Sequence, residues 1–465
     1  MPRLVTFSLL LLTLGAGASG AADAAPFSYP TPPRLSLVDG EVTFWRPSSP
    51  GATPAQVNTP LAAGDTLATG PRGTIEIQVG AHTYLRAGGA SQLRIASVAA
   101  QNLRVEVDAG VAALDVRALA PGHTIEVASP QAAFFIERAG YYRLGIDARS
   151  TSLSVRRGGS AVANYSGQGG FSVESEQELH LSVHGSNLLQ ARPADAWDGW
   201  NLARTDQLEA SATARYLAPG VYGAADLDRH GQWQTSAQYG PLWVPWAQPA
   251  GWAPYSAGRW IADPVYGLTW IDDAPWGYAP FHHGRWVSLG GAWAWAPGHR
   301  HARVEYAPAL VGWFPGLSVG AAFGTRWVAL GWGEPVSPWW GPRDFHGQPY
   351  WGGWGGPRVV NRSVIADTAV LRRTDLANIV YANARHPNAV VASSADRDGR
   401  ASQGIRRTAP EGARDARRDR SDANIAANPG PAPVPARSVS MTPGVPNPIT
   451  PTAPGVPNQI GRAHV

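Results

Sequence analysis

The sequence predicts a mainly β protein: an all-β domain, a short linking helix, a tryptophan-rich β-hairpin repeat domain and a disordered C-terminal tail. Three observations lead to this fold class. Apolar and polar residues alternate in short runs between residues 34 and 190. Nineteen of the 20 tryptophans lie between Trp197 and Trp354. From residue 396 onward the chain is polar and then rich in proline, a composition typical of disorder.

The N-terminal 25 residues have the pattern of a secretory signal peptide. Arg3 precedes an apolar run at residues 7–14, and small residues with two A-x-A-like cleavage motifs follow. Residues 26–33 form a proline-rich linker. The chain contains no cysteine, so a lipoprotein anchor is excluded. We therefore expect a periplasmic or secreted protein without an integral membrane segment.

Composition narrows the function classes further. Without cysteine, disulfides, thiol catalysis and cysteine-ligated zinc are excluded. All 38 basic residues are arginines, and residues 396–420 contain eight arginines against five acidic residues. This segment carries most of the net charge of +4, which leaves the remainder close to neutral. The sequence thus predicts no nucleic-acid partner.

The first β domain, residues 34–190, is predicted from runs at 74–79, 103–107 and 152–156, in which every second residue is apolar. That period is typical of half-buried antiparallel strands. The segments Val-Asp-Gly-Glu-Val (38–42), Leu-Ala-Ala-Gly-Asp-Thr-Leu-Ala-Thr-Gly (61–70) and Leu-Arg-Ile (93–95) also stand in this domain. Two later segments, 125–130 and 140–143, complete the pattern.

This pattern resembles the FecR domain of bacterial envelope proteins. The resemblance implies that the glycines and the Gly-Asp pair lie at turns, and it implies no catalytic residue. One departure is Val-Gly-Ala-His at 79–82, where the family usually has an Asp-Gly-Ser turn. Iron-signalling members of the family act through a membrane-spanning anti-sigma system, and no such segment stands in this chain.

Residues 195–216 interrupt the β pattern. Trp197, Trp200, Leu208 and Ala212 recur at helical spacing, and Asp195 is a suitable N-cap. The spacing predicts one amphipathic helix that links the two β regions.

The tryptophan-rich segment, residues 217–355, contains an internal repeat. The ten residues at 251–260 recur at 277–286 with six identical positions, and 239–243 is echoed at 266–270. A third copy follows at 293–297 and 306–308. A period near 26 indicates stacked units, each a two-strand hairpin too small to be stable alone. This stretch resembles an uncharacterised family of tryptophan-rich envelope proteins, in which a FecR-like domain precedes the repeats, and the resemblance implies no activity.

The indoles allow two interpretations. They pack within and between repeats, or their exposed faces stack on sugar rings. The arginines of the repeats either lie over indoles or bind carboxylates of an acidic polymer. The binding interpretation selects eight candidate residues: Trp252, Tyr255, Arg259, Trp260, Trp276, Phe281, Arg285 and Trp286.

The histidines and carboxylates of this segment predict neither a metal site nor a catalytic pair. His282 and His283 are expected at the surface or in turns, as are His299 and His301, although the last two share one face if they lie on a strand. Asp272 and Asp273 are expected in a turn. Asp226 and Asp228 would lie on one side of an extended segment, a weak candidate for a cation site.

Residues 356–395 are expected to extend the hairpin domain, and residues 396–465 to form a disordered tail rich in arginine and proline. The last six residues, 460–465, match a translated sequencing adapter, so we expect a different natural C-terminus. No phosphate loop, dinucleotide fingerprint or nucleophile elbow is present in the sequence.

The sequence therefore predicts an exported protein that is not an enzyme and needs no cofactor. Its expected role is that of a scaffold or binding module for glycan, peptidoglycan or another cell-wall polymer, or for an envelope protein. Two alternatives stay open. One is a periplasmic sensor that acts through the FecR-like domain, and the other is a hydrolase acting on a polysaccharide.

Overall fold

The computed structural model describes residues 31–47, 49–99, 101–165, 170–302, 304–314, 318–319, 322–323, 325–334, 381–395 and 401–407. These residues are mainly β with one linking helical segment, which confirms the predicted fold class. The expected signal peptide, most of the linker, and much of the extension and tail lie outside the described residues. Within the expected tail, residues 401–407 form a strand.

Sixteen strands make up the first β region. They are β1 (Arg34–Asp39), β2 (Val42–Trp45), β3 (Thr53–Pro54), β4 (Thr66–Thr69), β5 (Thr74–Gly80), β6 (Thr83–Ala87), β7 (Gln92–Val98), β8 (Asn102–Val116), β9 (Thr124–Ala128), β10 (Ala132–Ile136), β11 (Gly140–Ile146), β12 (Ser150–Arg156), β13 (Ser160–Tyr165), β14 (Phe171–Glu174), β15 (Gln177–Ser182) and β16 (Gly185–Gln190).

The long strand β8 joins two layers of this region. Its first half pairs with β7 and, in parallel, with β9, while its second half pairs with β6 and β11. The change of partners occurs at Gly110, whose φ is +89°. A Cβ on Gly110 would lie 2.6 Å from the Cα of Ser91, so a glycine is required where the strand bends between layers.

The apolar core follows the predicted alternation, with one exception. Ile75 and Ile77 of β5 and Val105 of β8 are buried in a single cluster. Glu76 stands between the two isoleucines, on the face expected to meet solvent, yet it is fully buried. Other charged groups must therefore cover that face of β5.

Two arginines neutralise Glu76. Arg86 Nε donates to Glu76 Oε2 over 2.8 Å, and Arg204 donates to both carboxylate oxygens over 3.0 Å. Burial alone would raise the pKa of Glu76, but these two cations lower it below its usual 4.5. The cluster thus holds the linking helix against the first β region.

The linking helix α1 (Ala196–Glu209) begins at Asp195, as predicted, and a 3₁₀ turn (Ala212–Tyr216) follows it. Asp195 and Asp198 form a reciprocal capping box. The buried face is polar rather than apolar, because it carries Asp198, Asn201 and Thr205 together with Leu208. Arg86 donates to the hydroxyl of Thr205 and to the carbonyl of Asn201 on that face.

The expected tryptophan stripe of α1 is only half buried. Trp197 and Trp200 stack on each other with ring centroids 5.2 Å apart. Hydrogen bonds and ion pairs therefore attach α1 to the first β region. The two indoles remain partly exposed beside these contacts.

Twelve strands, two short α-helices and a 3₁₀ turn (Ala382–Arg385) follow among the described residues of the hairpin region. The helices are α2 (Ala224–Leu227) and α3 (Ala279–His282). The strands are β17 (Gly231–Ser236), β18 (Gly240–Pro245), β19 (Gly258–Asp263), β20 (Gly267–Asp272), β21 (Arg285–Leu289), β22 (Ala292–Ala296), β23 (Val311–Phe314), β24 (Ser318–Val319), β25 (Ala322–Phe323), β26 (Thr325–Ala329), β27 (Val391–Ala395) and β28 (Ala401–Arg407).

These strands form small sheets. The order β17-β18-β22-β21 makes one sheet, β19-β20 a second, and β23-β26-β27-β28 a third, while β24 pairs with β25. None of the helices among the described residues has the length and apolar character needed to cross a membrane.

A charged contact joins the first β region to the hairpin region. Arg46 binds the carboxylate of Asp65 through two nitrogens, at 2.8 and 2.6 Å, and reaches Asp263 of β19 at 3.4 Å. Nearby, Arg34 pairs with Asp226 at 2.7 Å. The two regions are therefore connected by buried ion pairs and not only by apolar packing.

We expect Glu76→Ala to lower the free energy of unfolding by about 3–5 kcal/mol, because it leaves Arg86 buried without its counter-charge. Urea unfolding followed by circular dichroism measures the change. The control is Glu174→Ala, which breaks an exposed pair with Arg138 and should cost less than about 1 kcal/mol. Equal losses in both variants would contradict this account of the cluster.

Candidate functional site

The hairpins place tryptophan opposite tryptophan. First strands begin at Gly231, Gly258, Arg285 and Val311, close to the spacing found in the sequence. In each hairpin a first-strand tryptophan is the direct cross-strand partner of a second-strand tryptophan: Trp233–Trp243, Trp260–Trp270, Trp286–Trp295 and Trp313–Trp327. Aromatic cross-strand pairs stabilise antiparallel strands. The rings of Trp260 and Trp270 lie 5.2 Å apart in such an edge-on contact.

A glycine lies two residues before the first-strand tryptophan in three of these hairpins. A Cβ built on Gly231 would lie 2.4 Å from the Trp243 ring, and one on Gly258 would lie 2.5 Å from the Trp270 ring. On Gly284 the same atom would lie 2.6 Å from Nε1 of Trp295. The second-strand indole therefore covers the glycine, which leaves no room for a side chain.

The second-strand indoles are buried, and each one donates its N–H. The acceptors are the carbonyl of Leu227 for Trp243, the carboxylate of Asp272 for Trp270, the carbonyl of His283 for Trp295 and the carbonyl of Tyr255 for Trp327. All four donor–acceptor distances lie between 2.8 and 3.2 Å. Because a buried indole N–H needs an acceptor, these bonds fix the orientation of each ring. The bond from Trp327 also joins β26 to the segment before β19.

Five of the eight candidate binding residues lie in this aromatic core. Tyr255, Phe281, Arg285 and Trp286 are almost completely buried, and Trp276 is 7% exposed. The Tyr255 hydroxyl donates to the carbonyl of Phe281 over 2.6 Å and accepts from the amide of Leu310. These five positions are therefore packed, and they present no face to a ligand.

The remaining three candidates, Trp252, Arg259 and Trp260, are partly exposed at the edge of the core. Trp252 packs edge-on against Trp276 and Trp286, with centroids 6.1 and 5.8 Å away. A ligand that reached this edge would therefore meet indoles whose orientation is already fixed.

Arg285 joins the hairpins to the C-terminal part of the region. It is buried and donates to the carbonyls of Gly284 and Glu334. The carboxylate of Glu334 accepts the amides of Gly331 and Ala382, each at 2.6 Å. Burial raises the pKa of Glu334, and the two amide bonds oppose that rise.

The expectation of surface histidines is wrong for His282 and His283. Both are buried at α3, where Nδ1 of His282 lies 2.8 Å from the carbonyl of Ala307 and Nδ1 of His283 lies 3.1 Å from that of Glu305. Burial lowers the pKa of His282 to about 3 and that of His283 to about 4. The rings contact Tyr278 and Tyr306. The contacts with Tyr306 and with the carbonyls of Glu305 and Ala307 could not be predicted from the sequence, because they come from a different segment.

His299 and His301 lie in an exposed turn after β22, which confirms the turn expectation and excludes the shared strand face. The amide of His301 lies 3.2 Å from Nδ1 of His299. In the part of the chain that the structure describes, no group of three or more histidines and carboxylates is placed to hold a metal ion.

The acidic candidates have separate structural partners. Asp272 ends β20 and is buried, where burial raises its pKa and its oxygens accept from Trp270 and the amide of Ala274. Asp226 pairs with Arg34, whereas Asp228 accepts from the backbone and hydroxyl of Thr213. Asp226 lies within α2, so the extended geometry expected for a cation site is absent at these two residues.

A cavity of about 90 Å³ lies where β5 and β6 meet the end of α1 and the turn before α2. Arg34, Glu76 and Glu209 line it. Each of the three already has a charged or hydrogen-bonding partner: Asp226, Arg86 and Tyr84 respectively. The space is large enough for several water molecules, and its walls provide polar contacts for them.

We expect Gly231→Ala to destabilise the protein by about 1–3 kcal/mol, because the new methyl group overlaps the Trp243 ring. Chemical denaturation checks the value. Gly199→Ala on α1 is the matched control: nothing lies within 4 Å of that position, so it should be neutral or stabilising by up to about 1 kcal/mol. A Gly231→Ala variant as stable as the parent would refute the covering role of the indole.

Acid should destabilise the protein through His282 and His283. Their folded pKa values lie below the usual 6.5, so between pH 6.5 and about 4 the unfolded chain binds protons that the folded chain does not. Stability contributed by these groups is complete above pH 6.5 and is lost as the pH falls. Urea midpoints from pH 7.5 to 4.5 should fall less steeply for His283→Gln than for the parent, and an unchanged slope would refute the assignment. His299→Gln, in the exposed turn, is the control.

Comparison with known proteins gives a family of unknown function, DUF6600, over residues 224–338. No curated protein matches the chain. Two crystal structures, at 2.50 and 1.65 Å, of a protein described as a candidate anti-sigma factor from Parabacteroides distasonis ATCC 8503 are similar to part of it. Identities are 12% and 11%, with a TM-score of 0.24 for both. The match covers 27% of this chain and 59% of those chains, a distant likeness on which no functional argument rests.

Proposed function

We propose that the protein is an exported, non-enzymatic scaffold of the bacterial envelope that binds a cell-wall or extracellular polymer. The observation that carries this proposal is that five carboxylates are engaged in structural contacts. Glu76, Asp65 and Asp226 pair with arginines, while Asp272 and Glu334 accept backbone amides. General acid–base catalysis needs a titratable group within reach of substrate. Glu76, Asp65 and Asp272 are buried, and all five carboxylates are engaged in structural contacts.

The proposed contact surface consists of the apolar side chains that the hairpin region leaves exposed. Trp246, directly after β18, is 62% exposed, and Val265 and Leu268 at the turn of β19 and β20 are about half exposed. Trp246 exposes most of its indole to solvent, and Trp252 and Trp260 are partly exposed at the edge of the aromatic core. Indoles with an exposed face and a supported edge are suited to stacking on sugar rings.

Export is the second part of the proposal. It rests on the signal-peptide pattern of residues 1–25, which lie outside the described residues, and on the absence of cysteine from the sequence. Localisation of the full chain by fractionation tests it. Cytoplasmic retention with an intact N-terminus would remove this part of the proposal.

Co-sedimentation with insoluble peptidoglycan and polysaccharides tests polymer binding. Trp246→Ala should lower the bound fraction several-fold without changing the unfolding temperature, because its indole is mostly outside the core. Phe135→Ala is the control, since this aromatic side chain is 37% exposed in the first β region. Equal binding by the parent and both variants would show that Trp246 is not part of the contact surface. If the parent protein does not bind either material, the proposal of polymer binding is refuted.

The rival hydrolase gives a different result in the same assay. Soluble fragments would be released from the polymer, and release would stop in Asp273→Asn or Asp272→Asn. That outcome would overturn the non-enzymatic proposal, whereas intact polymer after prolonged incubation supports it.

A further inference from the structure

The last strand of the first β region, β16, lies at an edge. It pairs with β15, and no other strand among the described residues pairs with it. Leu188 and Leu189 are 47% and 54% exposed. Because successive residues of a strand face opposite sides, both faces of β16 expose a leucine beside the open edge.

The outward backbone groups of β16 follow from its turn. Two residues connect Ser182 of β15 to Gly185 of β16, and beyond the strand the amide of Ala191 donates to the carbonyl of Glu176. Hydrogen-bonded and non-hydrogen-bonded pairs alternate in an antiparallel ladder. Gly185, Asn187 and Leu189 therefore bond to β15, and the N–H and C=O groups of Ser186, Leu188 and Gln190 point away from the sheet.

The edge also lacks the residues that normally prevent association. Residues 183–191, Val-His-Gly-Ser-Asn-Leu-Leu-Gln-Ala, contain no proline and no aspartate, glutamate, lysine or arginine. Exposed edges are usually blocked by charges, proline or bulges. A second copy of this edge would meet no like-charge repulsion.

We propose that β16 pairs antiparallel with β16 of a second copy of this chain, about a two-fold axis at Leu188. In this register Leu188 lies opposite Leu188, and Ser186 lies opposite Gln190. The hydrogen-bonding pairs of this register, Leu188 with Leu188 and Ser186 with Gln190, consist of residues whose backbone groups point outward, so each outward N–H meets a C=O. A shift of the register by one residue would place inward-pointing groups opposite outward-pointing ones.

Side chains on one face add to the pairing. Ser186 shares a face with Leu188, and its hydroxyl lies 2.6 Å from that of Tyr165. The Phe171 ring packs on Tyr165 with centroids 5.3 Å apart and is 39% exposed. Dimer formation would cover Leu188 next to this aromatic pair. One strand pair is a small interface, so the dimer should depend on concentration.

The absence of native cysteine allows a site-specific test of the full chain. In a hydrogen-bonded antiparallel pair, Cα atoms are about 5.5 Å apart, inside the range of about 4.4–6.8 Å that a disulfide spans. Leu188→Cys should therefore form a covalent dimer on mild oxidation. Leu268→Cys is the matched control, because Leu268 is also 47% exposed but lies in β20 of the hairpin region. Equal cross-linking of the two variants would overturn the proposal.

Sedimentation velocity gives the second readout. The parent chain should change from monomer to dimer as its concentration rises through the micromolar range, and Leu188→Arg should abolish this by placing two guanidinium groups opposite each other. Leu268→Arg should dimerise like the parent. Circular dichroism and thermal unfolding show that each variant is folded. A parent chain that remains monomeric, or a folded Leu188→Arg variant that still dimerises, refutes the pairing of β16.

Discussion

Contact between a tryptophan ring and the α-carbon of a glycine is the constraint on which the hairpin region depends. At Gly231, Gly258 and Gly284 the indole from the opposite strand fills the space of a side chain. The ring then donates its N–H to the carbonyl of Leu227, the carboxylate of Asp272 or the carbonyl of His283. One residue type thus supplies apolar area, a steric fit and a directional bond, which lets small hairpins pack as one core.

The contact with the first β region has a different physical basis. Arg46, Arg34 and Glu76 are buried with their counter-charges, and their bonds lead into β19, α2 and α1 respectively. Removing one member of such a pair leaves the other charge buried without a counter-charge, whereas apolar contacts tolerate small displacements. Buried ion pairs consequently define the register between the two regions more strictly than packing alone.

Much of the fold could be predicted because local patterns determine it. The alternation of apolar and polar residues predicted the strands of the first β region, and Asp195 marked the start of α1. The internal repeat at 251–260 and 277–286 indicated the hairpins. The candidate site was harder to predict from the sequence. Whether Tyr255 or Trp252 faces solvent depends on segments far along the chain, and the buried position of Glu76 depends on Arg204, 128 residues away. The spacing Gly-x-Trp could be seen in the sequence. The reason for the glycine could not, because the indole that covers it comes from the opposite strand.

The Arg46 contact also bears on how the chain acquires its structure. Its partner Asp263 is 217 residues further along the sequence. During synthesis from the N-terminus, Asp65 is already available, whereas the second carboxylate emerges only after all sixteen strands of the first β region have been made. Contacts of such long sequence separation form late and slowly. Arg46 in the first β region therefore lacks its second counter-charge until β19 has folded against it.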